Sequence, residues 1–185
     1  MIDLTSTPII ILAILGSVGV ALPVINIGLK EKGSVISYGV ATLIALFASI
    51  GYVLYQLVLD HVAPAALFSQ DVLVDDAFGA LFAIAMLIVA IFTTVGSFNY
   101  MKNKDNPSIY FSLILLSAIG MVLVAYSTDL VMLFIAWELM SIPTYVLVGF
   151  LKKDPISNEA AIKYFLFGAL ASAIIIYGIS LAYGV

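Results

Sequence analysis

Apolar residues run along this chain in six long blocks separated by polar breaks. The blocks fall at about 8–29, 35–57, 77–98, 109–126, 130–150 and 160–183, each long enough to cross a hydrocarbon core of about 30 Å as a helix. They are continuous, unlike the ~10-residue alternating segments of a membrane barrel. A helix also pairs its own backbone groups, which lipid cannot do for it. The pattern therefore predicts an all-α integral membrane fold, with residues 1–185 as a single transmembrane helical domain. Asp3 is the only charge ahead of the first block, and no basic leader precedes it. That block is read as a true span rather than a signal peptide.

The polar breaks predict an orientation. Lys30 and Lys32 follow the first span, Lys102 and Lys104 the third, and Lys152 and Lys153 the fifth. The other connections carry Asp60, His61, Asp71, Asp75, Asp76 and Asp129. By the positive-inside rule the lysine loops face the cytoplasm and both chain ends lie outside, in a plasma membrane. Most connections are short, so sequential helices are expected to pack antiparallel. The exception is about 58–76, where Pro64 and the alternating run Gln70-Asp71-Val72-Leu73-Val74-Asp75 predict a short external hairpin or an interfacial segment.

Composition narrows the function classes. The chain is 64% hydrophobic and 10% charged, with a mean hydropathy of +1.22. A soluble domain averages about half apolar and about a quarter charged. A soluble enzyme, a disordered chain and a nucleic-acid binder are excluded. The seven basic residues are all lysines, so no arginine is present to grip phosphate. The absence of cysteine excludes thiolate metal sites, iron–sulfur ligation and disulfides within the chain. His61 is a lone loop histidine, read as solvated rather than metal-bound. No metal site and no cofactor are expected in this chain.

Two ionisable residues fall inside spans. Glu138 lies about eight residues into the fifth, hence about 12 Å deep and near the midplane. A lone acid there costs roughly 2.5–3.5 kcal/mol, and such groups are functional by default, as proton-relay or ion-pathway residues. The structural alternative is a protonated acid hydrogen-bonded to a neighbouring helix. Ser141 and Tyr145 share the helical face of Glu138 and are expected to bond it or hold water beside it. Pro143 lacks a backbone donor and is expected to free a carbonyl for the same polar line. Lys163 lies one turn into the sixth span. It either snorkels to the interface beside Glu159, four residues earlier, or serves a proton path. A depth difference of about 10 Å argues against a direct Glu138–Lys163 salt bridge and leaves a water-bridged relay.

Other positions read as structural. Trp137 is too deep for an interfacial belt and is assigned to core packing. Asp75, Asp76 and Asp129 stand at helix starts, where the dipole favours acids. Lys152-Lys153-Asp154-Pro155 is a solvated turn with Pro155 ready to begin a helix. Gly168 and Ser172, four apart beside Ala169 and Ala171, form a small-xxx-small helix contact.

At these residues a family is recognisable. The stretch Leu133-Phe-Ile-Ala-Trp-Glu-Leu-Met-Ser-Ile-Pro-Thr-Tyr-Val-Leu-Val-Gly-Phe150 resembles the fifth-helix signature of antiporter-like subunits of respiratory complex I. The block Glu159-Ala-Ala-Ile-Lys-Tyr-Phe-Leu-Phe-Gly-Ala-Leu-Ala-Ser172, followed by Tyr177-Gly-Ile-Ser-Leu-Ala-Tyr-Gly184, resembles the next helix of the N-type subunit. Trp137-Glu138 with Met140 and Thr144 is similar to archaeal members fed by a deazaflavin or ferredoxin. Asp71 to Phe78 resembles the acidic entry to the family's third helix. The resemblance implies the first part of a fourteen-helix fold with inverted repeats and both ends outside. It implies that Glu138 is the family's essential carboxylate and that Lys163 matches an N-type lysine on the sixth helix. The implied role is proton translocation within an NADH-, ferredoxin- or deazaflavin-driven quinone oxidoreductase, a non-redox translocase subunit inactive alone. Other membrane subunits and the bilayer are the implied partners, and other subunits handle the quinone-like acceptor.

The family's later helices, with the usual lysine partner of the fifth-helix glutamate, are not in this sequence. A fragment or a split subunit is therefore expected. Two further classes remain open: a cation/proton antiporter subunit of the multi-subunit sodium type, and a purely structural membrane subunit. The run Ser141-Ile142-Pro143-Thr144-Tyr145 looks N-type and disfavours the former.

The lysine asymmetry yields the first prediction. Single cysteines replacing Glu31 or Asn103 should react with an impermeant maleimide only from the cytoplasmic side, and one replacing Asp71 only from outside. Labelling of position 103 from outside would refute the orientation.

Overall fold

A computed structural model of the chain describes residues 6–28, 34–58 and 72–184. Lys30, Lys32, Asp60, His61, Pro64 and Asp71 lie outside the described residues. Six helices follow in order among the described residues: α1 (Thr7–Gly28), α2 (Val35–Val58), α3 (Ala77–Met101), α4 (Pro107–Tyr126), α5 (Leu130–Val148) and α6 (Pro155–Tyr183). Each is long and apolar enough to cross a bilayer.

The ends of the blocks moved where capping chemistry overrode hydropathy. α6 begins at Pro155, five residues before the expected 160. The Asp154 carboxylate accepts from the Ile156 N–H at 3.0 Å, and Pro155 needs no donor in the first turn. This puts Glu159 and Lys163 well inside the helix. α5 stops at Val148, short of 150, with Gly149 as its C-cap. α3 continues to Met101, beyond the expected 98. Asn106 then takes a left-handed conformation (φ 58°), and Pro107 starts α4 two residues earlier than the expected 109.

The acids at the helix starts divide their labour. Asp76 caps α3 by accepting from Gly79 N–H at 2.7 Å. Asp75 does not cap its own helix. It accepts the Thr7 N–H of α1 at 2.8 Å, across 68 residues of sequence. Asp129 caps α5 through the N–H groups of Val131 (2.9 Å) and Met132 (3.0 Å), and its other oxygen accepts the Tyr183 hydroxyl from the end of α6. The Tyr183 hydroxyl, and then the Met132 N–H, hold the Asp129 carboxyl below its ordinary pKa. Asp129 thus ties the start of α5 to the end of α6.

Beside these caps, the alternating run before α3 pairs with the end of α4. Leu73 and Ser127 form an antiparallel bridge, with Val74 N–H donating to Tyr126 C=O (3.0 Å) and Thr128 N–H to Val72 C=O (3.2 Å). For residues 72–74 the strand-like pattern is therefore real. Its partner among the described residues is the α4–α5 connection.

α4 is the centre of the bundle, packing on α1, α2, α3 and α5. Its Phe111, Leu115, Ala118 and Val122 are fully buried. Small polar residues let α4 approach its neighbours and supply bonds: Ser112 Oγ donates to the Gly19 carbonyl at 2.5 Å, and Ser117 Oγ to the Met140 carbonyl at 3.0 Å. At Gly120 the backbones of α4 and α5 nearly touch. A Cβ there would fall 2.3 Å from Met140 N. α6 lies at the periphery, packs on α5 alone among the helices, and has no buried residue.

The Gly120 contact gives a second prediction. Gly120→Val should push α5 off α4 and destabilise the bundle by about 1–3 kcal/mol, read as a lowered Tm in detergent. Gly51, with nothing within 4 Å of its would-be Cβ, is the control: Gly51→Ala should leave Tm near wild type.

Candidate functional site

Glu138 is the ninth residue of the nineteen in α5, which puts its Cα near mid-length of the helix. Two features of α4 hold that stretch of α5 in place: Gly120 against Met140, and the Ser117 hydroxyl on the Met140 carbonyl. Two residues beyond the carboxylate, α5 is therefore fixed in both approach and rotation. The Glu138 side chain is half-buried. Its Oε1 accepts a short hydrogen bond from Ser172 Oγ of α6. Acid and partner come from adjacent helices at the same depth.

The supporting residues on α5 behave differently from expectation. Ser141 is buried, but its hydroxyl donates backward to the Trp137 carbonyl at 2.8 Å and does not reach Glu138. A serine in a helix finds the carbonyl four residues earlier without any tertiary help, and this local bond wins. Thr144 Oγ1 in turn donates to the Ser141 carbonyl at 2.6 Å and lies 3.4 Å from the Tyr164 hydroxyl. Tyr145 faces α6 but does not bond the carboxyl. Its ring meets Tyr164 and Phe165 edge-on at 4.9 and 5.7 Å, and its hydroxyl end rests on Gly168, where a Cβ would sit 2.2 Å from the hydroxyl oxygen. Pro143 is buried within α5. Its missing N–H spares the Leu139 carbonyl, whereas the Ser117 hydroxyl goes to the next one, Met140. Trp137, assigned to packing, is 44% exposed on the bundle surface.

Lys163 Nζ donates to Glu159 Oε1 at 2.5 Å, with both side chains 66% exposed. Nine residues separate Lys163 from Ser172. At about 100° and about 1.5 Å per residue they stand on opposite sides of α6, about 13 Å apart along its axis. The structure thus brings Glu138 to Ser172 and Lys163 to Glu159, and it keeps the two pairs apart on the two sides of one helix.

Ser172 is the site residue that sequence reasoning assigned to packing. The available signal was its depth. A hydroxyl in a small-xxx-small motif level with a mid-span acid on the preceding antiparallel helix is a donor in reach of that acid. Among the described residues no group of three or more His, Cys, Asp or Glu side chains converges to hold a metal.

Comparison with known proteins places the chain in a family. A family profile described as NADH:quinone oxidoreductase/Mrp antiporter, transmembrane, matches residues 127–185, which hold both pairs. NADH-quinone oxidoreductase subunit N of Desulfitobacterium hafniense is 36% identical over 99% of this chain and 36% of its own length. F(420)H(2) dehydrogenase subunit N of Methanosarcina mazei is 36% identical over 64% of this chain and 24% of its own. In solved structures, a chain of respiratory complex I from Thermus thermophilus with bound aureothin superposes with a TM-score of 0.73 at 29% identity, covering 94% of this chain and 36% of that one. A chain of the archaeal membrane-bound sulfane sulfur reductase shares the fold, with a TM-score of 0.77 at 21% identity over 96% of this chain and 37% of that one. The chain spans about a third of the length of the Desulfitobacterium hafniense and Thermus thermophilus relatives. By its six helices, its Glu138-bearing signature and these likenesses, it is a multi-pass membrane relative of the antiporter-like N-type subunits of complex I and of F(420)H(2) dehydrogenase.

Proposed function

We propose that this chain is part of a proton-translocating subunit in the membrane arm of a complex I-like quinone oxidoreductase of a prokaryotic plasma membrane, with Glu138 as its mid-membrane relay. The observation that carries the proposal is a carboxyl group at mid-length of α5 whose partner among the described residues is one hydroxyl from α6. A group held so lightly keeps a second oxygen for proton exchange. Electron transfer and quinone reduction belong to other subunits in this reading, and the chain carries no redox cofactor. The matched profile covers both quinone oxidoreductases and Mrp antiporters. The redox assignment is favoured by relatives named as subunits N of NADH-quinone oxidoreductase and F(420)H(2) dehydrogenase.

The mechanism is electrostatic. A cation approaching a carboxyl group favours the carboxylate, and its withdrawal in a poorly solvated site favours the acid. Alternation between the two takes a proton up and gives it out. The charge partner comes from outside this chain's own described residues, because Lys163 stands on the far side of α6. Lys163 is assigned to proton entry at the lysine-bearing end, with Glu159 as its counter-charge. It lies about 13 Å from the Ser172 level, a gap too long for a direct hydrogen bond.

The test uses inverted membrane vesicles carrying the assembled complex, with proton uptake and electron transfer measured together. Glu138→Gln keeps shape and hydrogen bonding but cannot titrate, and it should lower pumping by about tenfold or more. Glu138→Asp, which still titrates from a shorter stem, should keep part of the activity. Full pumping by the assembled Gln variant would make Glu138 structural and the reading wrong.

A second measurement addresses Lys163. If its charge serves entry, Lys163→Arg should retain more pumping than Lys163→Met across the pH range. Glu159→Gln should alter the pH profile by removing the counter-charge. Loss in the Met variant should be partial and smaller than in Glu138→Gln, because the exposed position lets water pass the side chain. Equal pumping by Met and wild type at every pH would leave Lys163 an interfacial anchor.

A further inference from the structure

Gly168 and Ser172 share the side of α6 that faces α5, together with Ala161 and Phe165. Packing accounts for Gly168, since Tyr145 fills the space a side chain would need. Packing does not account for a hydroxyl at position 172. Alanine is as small, forms a better helix, and brings no polar group into an apolar layer.

The direction of the hydroxyl is equally informative. Thr42, Ser49, Thr94, Ser97 and Ser141 all turn their hydroxyls back to the carbonyl four residues earlier in their own helices. Ser112 and Ser117 reach across to a neighbouring helix, but to backbone carbonyls. Ser172 forgoes the local acceptor and donates across the seam to Glu138 Oε1. No partner for Glu138 Oε2 is found among the described residues.

We infer that Ser172 is a positioning residue for Glu138. Its hydroxyl pins one carboxyl oxygen to α6, fixes the side-chain torsions, and presents the other oxygen for proton exchange. The role rests on reading Glu138 as the relay. It assigns α6 a part in transfer separate from Lys163, on the opposite side of the same helix. A glutamate has three side-chain torsions, and in an apolar layer without a tether it samples orientations that break the line of transfer. One hydroxyl removes that freedom while leaving the charge state open, which a lysine partner would not.

The experiment compares Ser172→Ala and Ser172→Thr in the assembled complex, with pumping and infrared difference spectra as readouts. The carboxyl band of Glu138 is identified as the one that Glu138→Gln removes. A hydrogen bond to a carboxyl oxygen weakens its C=O bond, so Ser172→Ala should move the band of the protonated form to higher frequency. Pumping in that variant should fall about fivefold, the rate equivalent of one ordinary hydrogen bond. Ser172→Thr keeps the donor and should hold both readouts near wild type. An unmoved band, wild-type pumping, or failure of the alanine variant to assemble overturns the inference. Wild-type pumping by Glu138→Gln would instead remove the relay reading, and the band shift in Ser172→Ala would then mark a tether without a transfer role.

Discussion

A carboxyl group at mid-depth in hydrocarbon has to be met by a donor from a neighbouring helix, because its own helix has no backbone donor to spare and lipid has none. Much of this bundle is arranged around that requirement. α6 comes close enough to α5 to deliver the Ser172 hydroxyl because Gly168 accepts the end of Tyr145 and Gly149 accepts Ala161. α5 in turn keeps its rotation because α4 abuts it at Gly120 and bonds it through Ser117. The chain of dependence therefore runs from α4, the best-buried helix, through α5 to α6, which has no buried residue. The Glu138 carboxyl thus stands on the outer side of the packed core, where a further partner can reach it.

The two ends of the bundle are finished by different chemistry. At the lysine-bearing end, Lys104 lies over the Tyr100 ring at 4.0 Å, and α4 starts from a left-handed Asn106 and a proline. At the other end carboxylates do the joining: Asp76 caps α3, Asp75 holds the first turn of α1, and Asp129 holds both α5 and Tyr183 of α6. Acids suit helix starts, whose N–H groups are unpaired, and Asp154 caps α6 in the same way at the lysine-bearing end; what sets the other end apart is that Asp75 and Asp129 also join one helix to another. The Asp129 tie also fixes the far end of α6, so the seam that carries Glu138 and Ser172 is held below and above.

Hydropathy located all six helices, because a span must be apolar along its whole length whatever it packs against. Their ends were less legible. Asp154 and Pro155 advance α6 by a turn beyond the point where apolar residues begin, since capping satisfies donors that hydropathy does not count. Glu138 stood out in the sequence because burying an acid is costly enough to need a reason. Ser172 did not, because serine is cheap to bury and common in helix contacts. For Ser141 and Tyr145 the direct bond to the acid is the part of the expectation that the structure does not give. Sharing a helical face with an acid is not the same as bonding it when a nearer carbonyl or a flat glycine surface is on offer.

The separation of Lys163 from Glu138 bears on how charge travels through such a bundle. Both sit in signatures that follow one another in sequence, and a linear reading places them on one path. Helical geometry puts Lys163 half a turn away from the Glu138-facing side of α6, in an ion pair with Glu159. The α5–α6 seam between them is lined by Tyr145, Phe165 and Ala161, an aromatic and apolar surface with few acceptors for a proton. If Lys163 serves proton entry, as proposed, the way to Glu138 leads around α6 rather than along the α5–α6 seam. The exposed side of α6, where Lys163 and Glu159 stand, is the side on which water and a further helix can complete that passage. In this arrangement α6 is a partition with a titratable pair on one side and a tethered carboxyl on the other. Electrostatic interaction between the two across the helix falls off with distance and with the water admitted around it.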